Sequence, residues 1–155
     1  MMFPKGQSRA WKRKGSTLPN VPESDLQAFA DDYLATTRAD QLRIPNWMYA
    51  WVKRSAPKAF AVQFMERFTG YPDNTIWEPV GDCYSICLSM EIKRARGQLS
   101  GNRQKALAKK RNYQIPRSPG QIEALLVKFR ADAEMLNAIL NKYGGIAGLK
   151  KALDA

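Results

Sequence analysis

The pattern of apolar and polar residues predicts a helix near the start of the chain. Five apolar residues recur at the spacing i, i+3, i+4, i+7 and i+8, namely Leu26, Phe29, Ala30, Tyr33 and Leu34. This spacing places their side chains on one face of a helix, where they can pack against a core. Pro22 suits a first helical turn, so we expect the helix to run from Pro22 to about Thr36.

Two shorter, aromatic-rich helices are expected at residues 47–54 and 59–68, on either side of a break at Pro57. Their edges carry the basic residues Lys53, Arg54, Lys58 and Arg67. An aromatic stripe of this kind is most often core or a dimer face. When basic residues are interleaved with it, the stripe can also stack on unpaired nucleic-acid bases. The sequence leaves these interpretations open.

Residues 80–93 form the central apolar stretch of the chain. They are rich in aromatic and β-branched residues and contain no Pro or Gly after Gly81, which predicts extended structure. On a strand, Glu91 and Lys93 leave the same face because they are two residues apart. Asp82 and Glu91 are separated by an odd number of residues, so a hairpin or bulge must lie between them if they cooperate.

The C-terminal half is predicted to contain a short helix, a short strand and a long helix. Ser100 can cap a helix that runs to about residue 110 and carries Gln104 in its first turns. Residues 113–115 are expected to be a short strand. Ser118, followed by Pro119, is a strong helix start, and a Gly pair at residues 144–145 ends that helix.

This order of elements predicts an α/β protein with a small mixed β-sheet flanked by helices. The length of 155 residues suits one domain. We divide the chain into a basic flexible arm at residues 1–20, a main domain at 21–143 with a helical insertion at about 47–70, and a short basic helix at 144–155.

Charge is the unusual feature of the composition. Lys and Arg number 25 against 14 Asp and Glu, a net charge of +11. Such an excess favours a polyanionic partner, most simply nucleic acid, with an anionic membrane as the lesser alternative. There is no apolar run of about 18 residues, so no membrane-spanning helix is expected. Of these partners we expect DNA and not a membrane. No apolar segment follows the basic first residues, which predicts a cytoplasmic protein. Cys83 and Cys87 are expected to be reduced and buried.

The chain contains no histidine. This excludes histidine-based triads, Cys-His proteases and nearly all zinc catalysis. Hydrolysis of a phosphodiester by oxygen-ligated Mg²⁺ is one of the few common reactions that needs no imidazole.

The most basic segment follows the central strand, where residues 92–117 carry nine cations and no acid. We interpret this segment as a phosphate-binding surface rather than an ordinary solvated face. The expected DNA-binding residues within it are Arg94, Arg96, Arg103, Lys105, Lys109 and Lys110.

An ordered set of short motifs resembles the PD-(D/E)xK nuclease superfamily: Glu23 with Gln27, then Gly81-Asp82, Glu91-x-Lys93 and Gln104. Within it, the chain is similar to the small phage and bacterial VRR-NUC nucleases over roughly residues 23–129. The resemblance implies a restriction-endonuclease-like core and Mg²⁺-dependent hydrolysis of DNA in a bacterial or phage-infected cell. Mn²⁺ would replace Mg²⁺. Branched or junction DNA as substrate, and a homodimer, are left open.

The resemblance also implies roles for individual residues. Asp82, Glu91 and Glu23 would be metal ligands, with the Ile92 carbonyl as a further ligand, and Lys93 and Gln104 would be catalytic. The alternative for Glu23 is a capping box that stabilises its helix.

The aspartate ligand could instead be Asp73, which forms a literal Pro-Asp pair with Pro72. We expect Asp82, because Asp73 lies in a turn where Asp is favoured by bonds to its own backbone. Asp82 enters an apolar run, where a carboxylate needs a cation or donors.

Two other functions compete with the nuclease. The first is a non-catalytic basic DNA-binding module in which Glu91 and Lys93 form only a surface ion pair. The second is a basic assembly or packaging protein. The burial of Glu91 and Lys93 discriminates between the DNA-binding module and the nuclease. Acids that converge in a basic cleft favour the nuclease, and a solvated ion pair favours the module.

Overall fold

The computed structural model describes residues 20–155; the expected basic arm lies almost wholly outside them. These residues form six helices and a three-stranded antiparallel sheet, which confirms the α/β class. The helices are α1 Glu23–Ala35, α2 Asn46–Ser55, α3 Lys58–Phe68, α4 Gly101–Lys110, α5 Pro119–Tyr143 and α6 Ile146–Leu153. The strands are β1 Asp40–Leu42, β2 Asn74–Val80 and β3 Tyr84–Met90. No helix in this part of the chain is long and apolar enough to cross a membrane.

β2 and β3 form a hairpin, and β1 pairs with the other side of β2, so β2 is the central strand of the sheet. Val80 pairs with Tyr84 at the turn, and Asn74 pairs with Met90 at the far end. Gly81 adopts a left-handed conformation at φ 65°, which favours glycine there. The stretch at 80–93 is therefore not one extended segment, because it begins with the hairpin turn. Neither β1 nor β2 was predicted from the sequence pattern.

Beyond Met90 the chain continues in extended form beside residues 114–116. The amide of Glu91 donates to the carbonyl of Gln114 at 2.9 Å, and the amide of Lys93 donates to that of Pro116 at 3.2 Å. The strand expected at residues 113–115 is thus a single parallel bridge between Met90 and Gln114. These bonds hold the backbone on which the Glu91 and Lys93 side chains are mounted.

The main core lies between the sheet, α1 and α5. Leu26 and Phe29 of α1 pack with Ile76 and Met90 of the sheet and with Ile122 of α5. Burying each of these side chains stabilises the fold by roughly 1.5–3 kcal/mol. The apolar stripe predicted for α1 is confirmed. Because this core clamps α1 onto the hairpin, it sets where the first residues of α1 stand relative to the end of β3.

The boundaries of α5 agree with the sequence analysis. The Ser118 hydroxyl accepts a bond from the amide of Gln121 at 3.2 Å, and Gly144 ends the helix in a left-handed conformation at φ 71°. Cys83 and Cys87 are both exposed, so the expectation that they are buried is wrong. Only the last three residues of β3 are buried, and both cysteines precede them.

Candidate active site

Glu91 is the centre of a polar cluster at the end of β3. Its residue surface is 2 % exposed. One carboxylate oxygen, Oε1, accepts a bond from Nε2 of Gln104 at 2.7 Å and lies 2.9 Å from Nζ of Lys93. The other, Oε2, accepts a bond from the backbone amide of Asp73 at 2.9 Å. A buried carboxylate is costly without such partners, so this acid is held in one orientation by three donors.

Lys93 is the cation of the cluster. Its Nζ also lies 4.0 Å from Oε2 of Glu23. Burial alone would lower the pKa of Lys93, but the hydrogen bond and charge of Glu91, followed by the charges of Asp73 and Glu23, outweigh burial and raise the pKa above its ordinary value. Lys93 is therefore an ammonium ion at neutral pH and can donate bonds or offset negative charge, but it is not a base.

Asp73 occupies the place expected for Asp82. It follows the buried Pro72 and immediately precedes β2, and its Oδ2 accepts a bond from the amide of Ile92 at 3.3 Å. Burial, and after it the charge of Glu91, raises the pKa of Asp73 to about 6. Two carboxyl groups thus face the same small space and disfavour each other's ionisation.

Asp82 does not join this cluster, and its expected position is corrected. It is exposed in the turn between β2 and β3, where it lines a hollow with Tyr84 and the end of α5. The physical reason is the hairpin register: since Asn74 pairs with Met90, the residues just outside this pair, Asp73 and Glu91, are neighbours. Asp82 lies midway between them in sequence and so at the opposite end of the hairpin.

Glu23 is the first residue of α1 and reaches the cluster from its open side. Its Oε1 accepts a bond from the amide of Arg94 at 3.4 Å. The residue that caps α1 is Pro22, and no side chain caps this helix. The capping-box alternative for Glu23 therefore fails, and its carboxylate faces the backbone that follows Lys93.

Gln104 is buried on α4 and fixed at both ends of its amide. Its Oε1 accepts bonds from the backbone amide of Ser100 at 2.6 Å and from the Ser100 hydroxyl at 3.2 Å. These bonds require that Nε2 be the atom facing Glu91. A side chain at Gly70 would place its Cβ 3.1 Å from the amide of Gln104, so the loop before Asp73 and the start of α4 pack closely together.

A cleft of about 440 Å³ opens beside the cluster. Its wall is formed by the start of α1, the segment between β1 and α2, and the loop that carries Asp73. The residues of the cluster that line it are Glu23, Asp73 and Ile92. Behind the cleft, the fully buried Asn74 exchanges two hydrogen bonds of 3.0 Å with Gln27, which fixes α1 to the first residue of β2. Sequence reasoning missed this polar link.

The predicted DNA-binding cations are exposed. In residues 20–155, none of the six forms an ion pair with an acid, so each is available to a phosphate: Arg94, Arg96, Arg103, Lys105, Lys109 and Lys110. Arg94 and Arg96 lie within three residues after Lys93, and the other four are on α4, the helix that carries Gln104.

The donor set suits a hard cation of the Mg²⁺ type. Residues 20–155 contain no group of three or more His, Cys, Asp or Glu placed to hold a metal. Mg²⁺, however, is commonly bound through one or two carboxylates and keeps several waters. Asp73 and Glu91 supply two carboxylates. Burial, and after it the charge of Glu91, raises the pKa of Asp73, and a bound cation would favour the ionised form of both acids.

Comparisons with known proteins add no relatives to this picture. No protein-family model matches the chain, and no curated protein and no solved structure matches it. What the site can do therefore has to be argued from its own residues.

Proposed function

We propose that this protein is a Mg²⁺-dependent nuclease that hydrolyses phosphodiester bonds in DNA. The observation that carries the proposal is the convergence of Asp73, Glu91 and Lys93 at the open end of one hairpin, with Gln104 bonded to Glu91 and Glu23 beside Lys93. Two acids, an ammonium and a fixed amide beside a cleft form a recognisable set for metal-assisted hydrolysis. They also match the Asp, Glu-x-Lys and Gln pattern of the PD-(D/E)xK nucleases, with Asp73 replacing Asp82.

Each residue has a distinct task in this proposal. Asp73 and Glu91 would hold Mg²⁺, or Mn²⁺ in its place. The bound ion would polarise the scissile phosphate and lower the pKa of a water. Lys93, held as an ammonium ion, offsets charge that develops on the phosphate and can orient the water by donating to it. Gln104 is a positioning residue, since it holds the carboxylate of Glu91.

Burial argues against the non-catalytic DNA-binding module. A surface ion pair would be solvated and contribute at most about 1 kcal/mol. Glu91 instead is 2 % exposed, and the Lys93 side chain retains 15 % of its exposure. Burial of a carboxylate costs free energy, and a second acid beside it adds to that cost. A protein that only binds DNA needs positive charge and gains nothing from two buried acids.

The exposed cations support DNA as the partner. Six of them lie in the segment that carries Glu91, Lys93 and Gln104, so a strand bound by its phosphates would be brought to the acids. A protein that makes about six phosphate contacts should lose roughly 10³-fold in affinity between 50 and 200 mM salt.

The decisive experiment incubates the purified protein with linear duplex and four-way-junction DNA, with Mg²⁺, with Mn²⁺ and with EDTA. Cleavage that needs either ion and stops in EDTA supports the proposal. Binding of both DNA forms without cleavage under any metal condition would instead identify the non-catalytic module. Comparison of the two substrates reports whether branched DNA is preferred.

A further inference from the structure

The hairpin of α2 and α3 presents aromatic side chains to solvent. Trp47 is 65 % exposed, Trp51 is 48 % exposed and Phe60 is 50 % exposed. With Met48, Val52 and Phe64 they line an open groove of about 340 Å³ with no polar lining residue. We call this groove the aromatic face. Trp47 and Trp51 are one helical turn apart, as are Phe60 and Phe64, so each helix contributes a pair of rings on one side.

The aromatic face is not part of the core. Neither core cluster of residues 20–155 contains a residue of α2 or α3. Within α2 only Val52 is buried, and α3 has no buried residue. The two helices pack mainly on each other. Of the interpretations that the sequence left open for this stripe, the core is thus excluded.

The charge around the aromatic face distinguishes the remaining occupants. The two helices carry Lys53, Arg54, Lys58 and Arg67, all exposed, against the single acid Glu66. A second copy of the chain docking here by the same face would bring cations against cations. A partner that offers flat apolar groups on a polyanionic backbone meets both the rings and their charged border. Unpaired DNA has that chemistry, whereas a duplex keeps its bases stacked inside.

The aromatic face is connected to the candidate active site by a row of rings. Phe60 contacts Phe64, Phe64 contacts Phe68 at 4.8 Å between ring centroids, and Phe68 contacts Tyr71. The guanidinium of Arg111 stacks 4.5 Å above the Tyr71 ring. The row therefore ends two residues before Asp73 in the chain.

The start of α2 borders the cleft directly. Pro45 and Asn46 line it together with Asp73. Burial, and then the charges of Asp73 and Glu91, raise the pKa of Tyr49 in the first half of α2. The acids are therefore within electrostatic range of the hairpin that carries the aromatic face.

We propose that the aromatic face stacks on unpaired bases of the DNA strand whose backbone enters the cleft, so that the preferred substrate contains a single-stranded segment. This inference rests on the proposed nuclease function for its substrate. It concerns binding, however, and is tested without the metal.

The test measures binding of the full chain in EDTA by fluorescence anisotropy, with a labelled oligo-dT strand and a hairpin duplex of equal charge. The variant is Trp47→Ala with Trp51→Ala, both at exposed positions where folding should persist. The matched control is Val127→Ala with Met135→Ala, which removes exposed apolar groups from α5. We expect roughly 10- to 100-fold weaker binding of the single strand by the Trp variant, and little change for the duplex or in the control.

Several outcomes would overturn the inference. One is an equal loss for both DNA forms, and another is no loss for either. A third is a wild-type dimer in sedimentation that becomes monomeric in the Trp variant, which would identify a dimer face. Trp-dependent binding to anionic vesicles, with no Trp-dependent binding to the single strand, would identify a membrane surface.

The nuclease proposal and this inference can fail separately. Single-strand binding that depends on the Trp pair, in a protein that cleaves nothing with Mg²⁺, supports the aromatic face and removes the nuclease. Mg²⁺-dependent cleavage by a protein whose single-strand binding does not depend on the Trp pair supports the nuclease and removes the proposed role of the aromatic face.

Discussion

The backbone amide of Asp73 donates a hydrogen bond to Oε2 of Glu91 at 2.9 Å, although 18 residues separate the two acids in sequence. The reciprocal bond runs from the amide of Ile92 to Oδ2 of Asp73 at 3.3 Å. Each acid is thus held by the backbone of the other's segment, as a continuation of the β2–β3 ladder. A slip of one residue in that ladder would turn these side chains to the opposite face.

The first prediction separates the two candidate aspartates. Asp73→Asn should reduce Mg²⁺-dependent cleavage by at least about 100-fold, since groups that only support a metal ligand already cost 10- to 100-fold. Asp82→Asn should cleave at the wild-type rate, because Asp82 lies in the exposed hairpin turn. The measurement is a cleavage time course at saturating Mg²⁺ after both variants have been shown to fold by circular dichroism. An inactive Asp82 variant beside an active Asp73 variant would contradict the site described above.

The helices were predictable from sequence, whereas the sheet was only partly so. The stripe that begins at Leu26 and the cap at Ser118 each follow from local rules of spacing and hydrogen bonding. β2 lacks such a local signal, because it contains Pro79 and the buried acid Glu78. In the folded protein, buried and more exposed residues alternate along β2. The residue types of β2 do not show this alternation, because two of its buried residues, Asn74 and Glu78, are polar. Non-local pairing of strands is not encoded in a short window of residues.

Most residues of the candidate site could be predicted from the sequence. The aspartate that lies beside Glu91 and Lys93 in space was not predicted correctly. Glu91 and Lys93 were found because two residues on one strand share a face. Asp73 was rejected because it stands in a turn, and turns are usually exposed. Here the turn packs closely against α4 at Gly70, and the amide of Ile92 donates a hydrogen bond to the carboxylate of Asp73. The Pro-Asp pair was the sequence signal that would have identified it.

The second prediction concerns Lys93, whose removal should separate binding from chemistry. Lys93→Ala should abolish detectable cleavage, because it removes the ammonium that lies 2.9 Å from Glu91. DNA affinity in EDTA should stay near the wild-type value, since the exposed cations from Arg94 onward are unchanged. Lys105→Ala is the matched control: it should weaken binding and reduce the slope of log affinity against log salt by about 0.9, with cleavage at saturating DNA unchanged. Normal cleavage by the Lys93 variant would remove it from the mechanism.

The third prediction tests Gln104 as a positioning residue. Gln104→Leu removes the donor to Glu91 and leaves the amide of Ser100 without its acceptor. The free energy of unfolding should fall by roughly 1–3 kcal/mol, because buried polar groups lose their partners. Cleavage should fall by about 10- to 100-fold, and the Mg²⁺ concentration for half-maximal rate should rise.

Gln104→Glu is the informative companion to that variant. It keeps the size of the side chain but places a third carboxyl group against Glu91. A purely structural role for Gln104 would change stability while leaving the Mg²⁺ dependence of the rate at its wild-type value, and that result would remove the positioning role.

The last prediction follows from the raised pKa of Asp73. The pKa is about 6 in the folded protein against 3.8 for an ordinary aspartate, with burial as the larger cause and Glu91 next. Between these two values the folded state binds a proton that the unfolded state has lost. Stability therefore falls as pH rises from about 4 to about 6, and the full cost, at most about 3 kcal/mol, is present above pH 6.

Urea unfolding of the wild type and Asp73→Asn, in EDTA at several pH values from 4 to 7.5, isolates this contribution from that of all other groups. Asn cannot titrate but keeps an oxygen for the amide of Ile92, so the variant should gain stability relative to wild type across the same pH window. Added Mg²⁺ should reverse the difference near pH 7.5, because a cation between Asp73 and Glu91 stabilises the ionised pair only when both are carboxylates. A difference between the two proteins that does not change with pH would show that Asp73 ionises normally, and a Mg²⁺ effect of equal size in both would place the ion elsewhere.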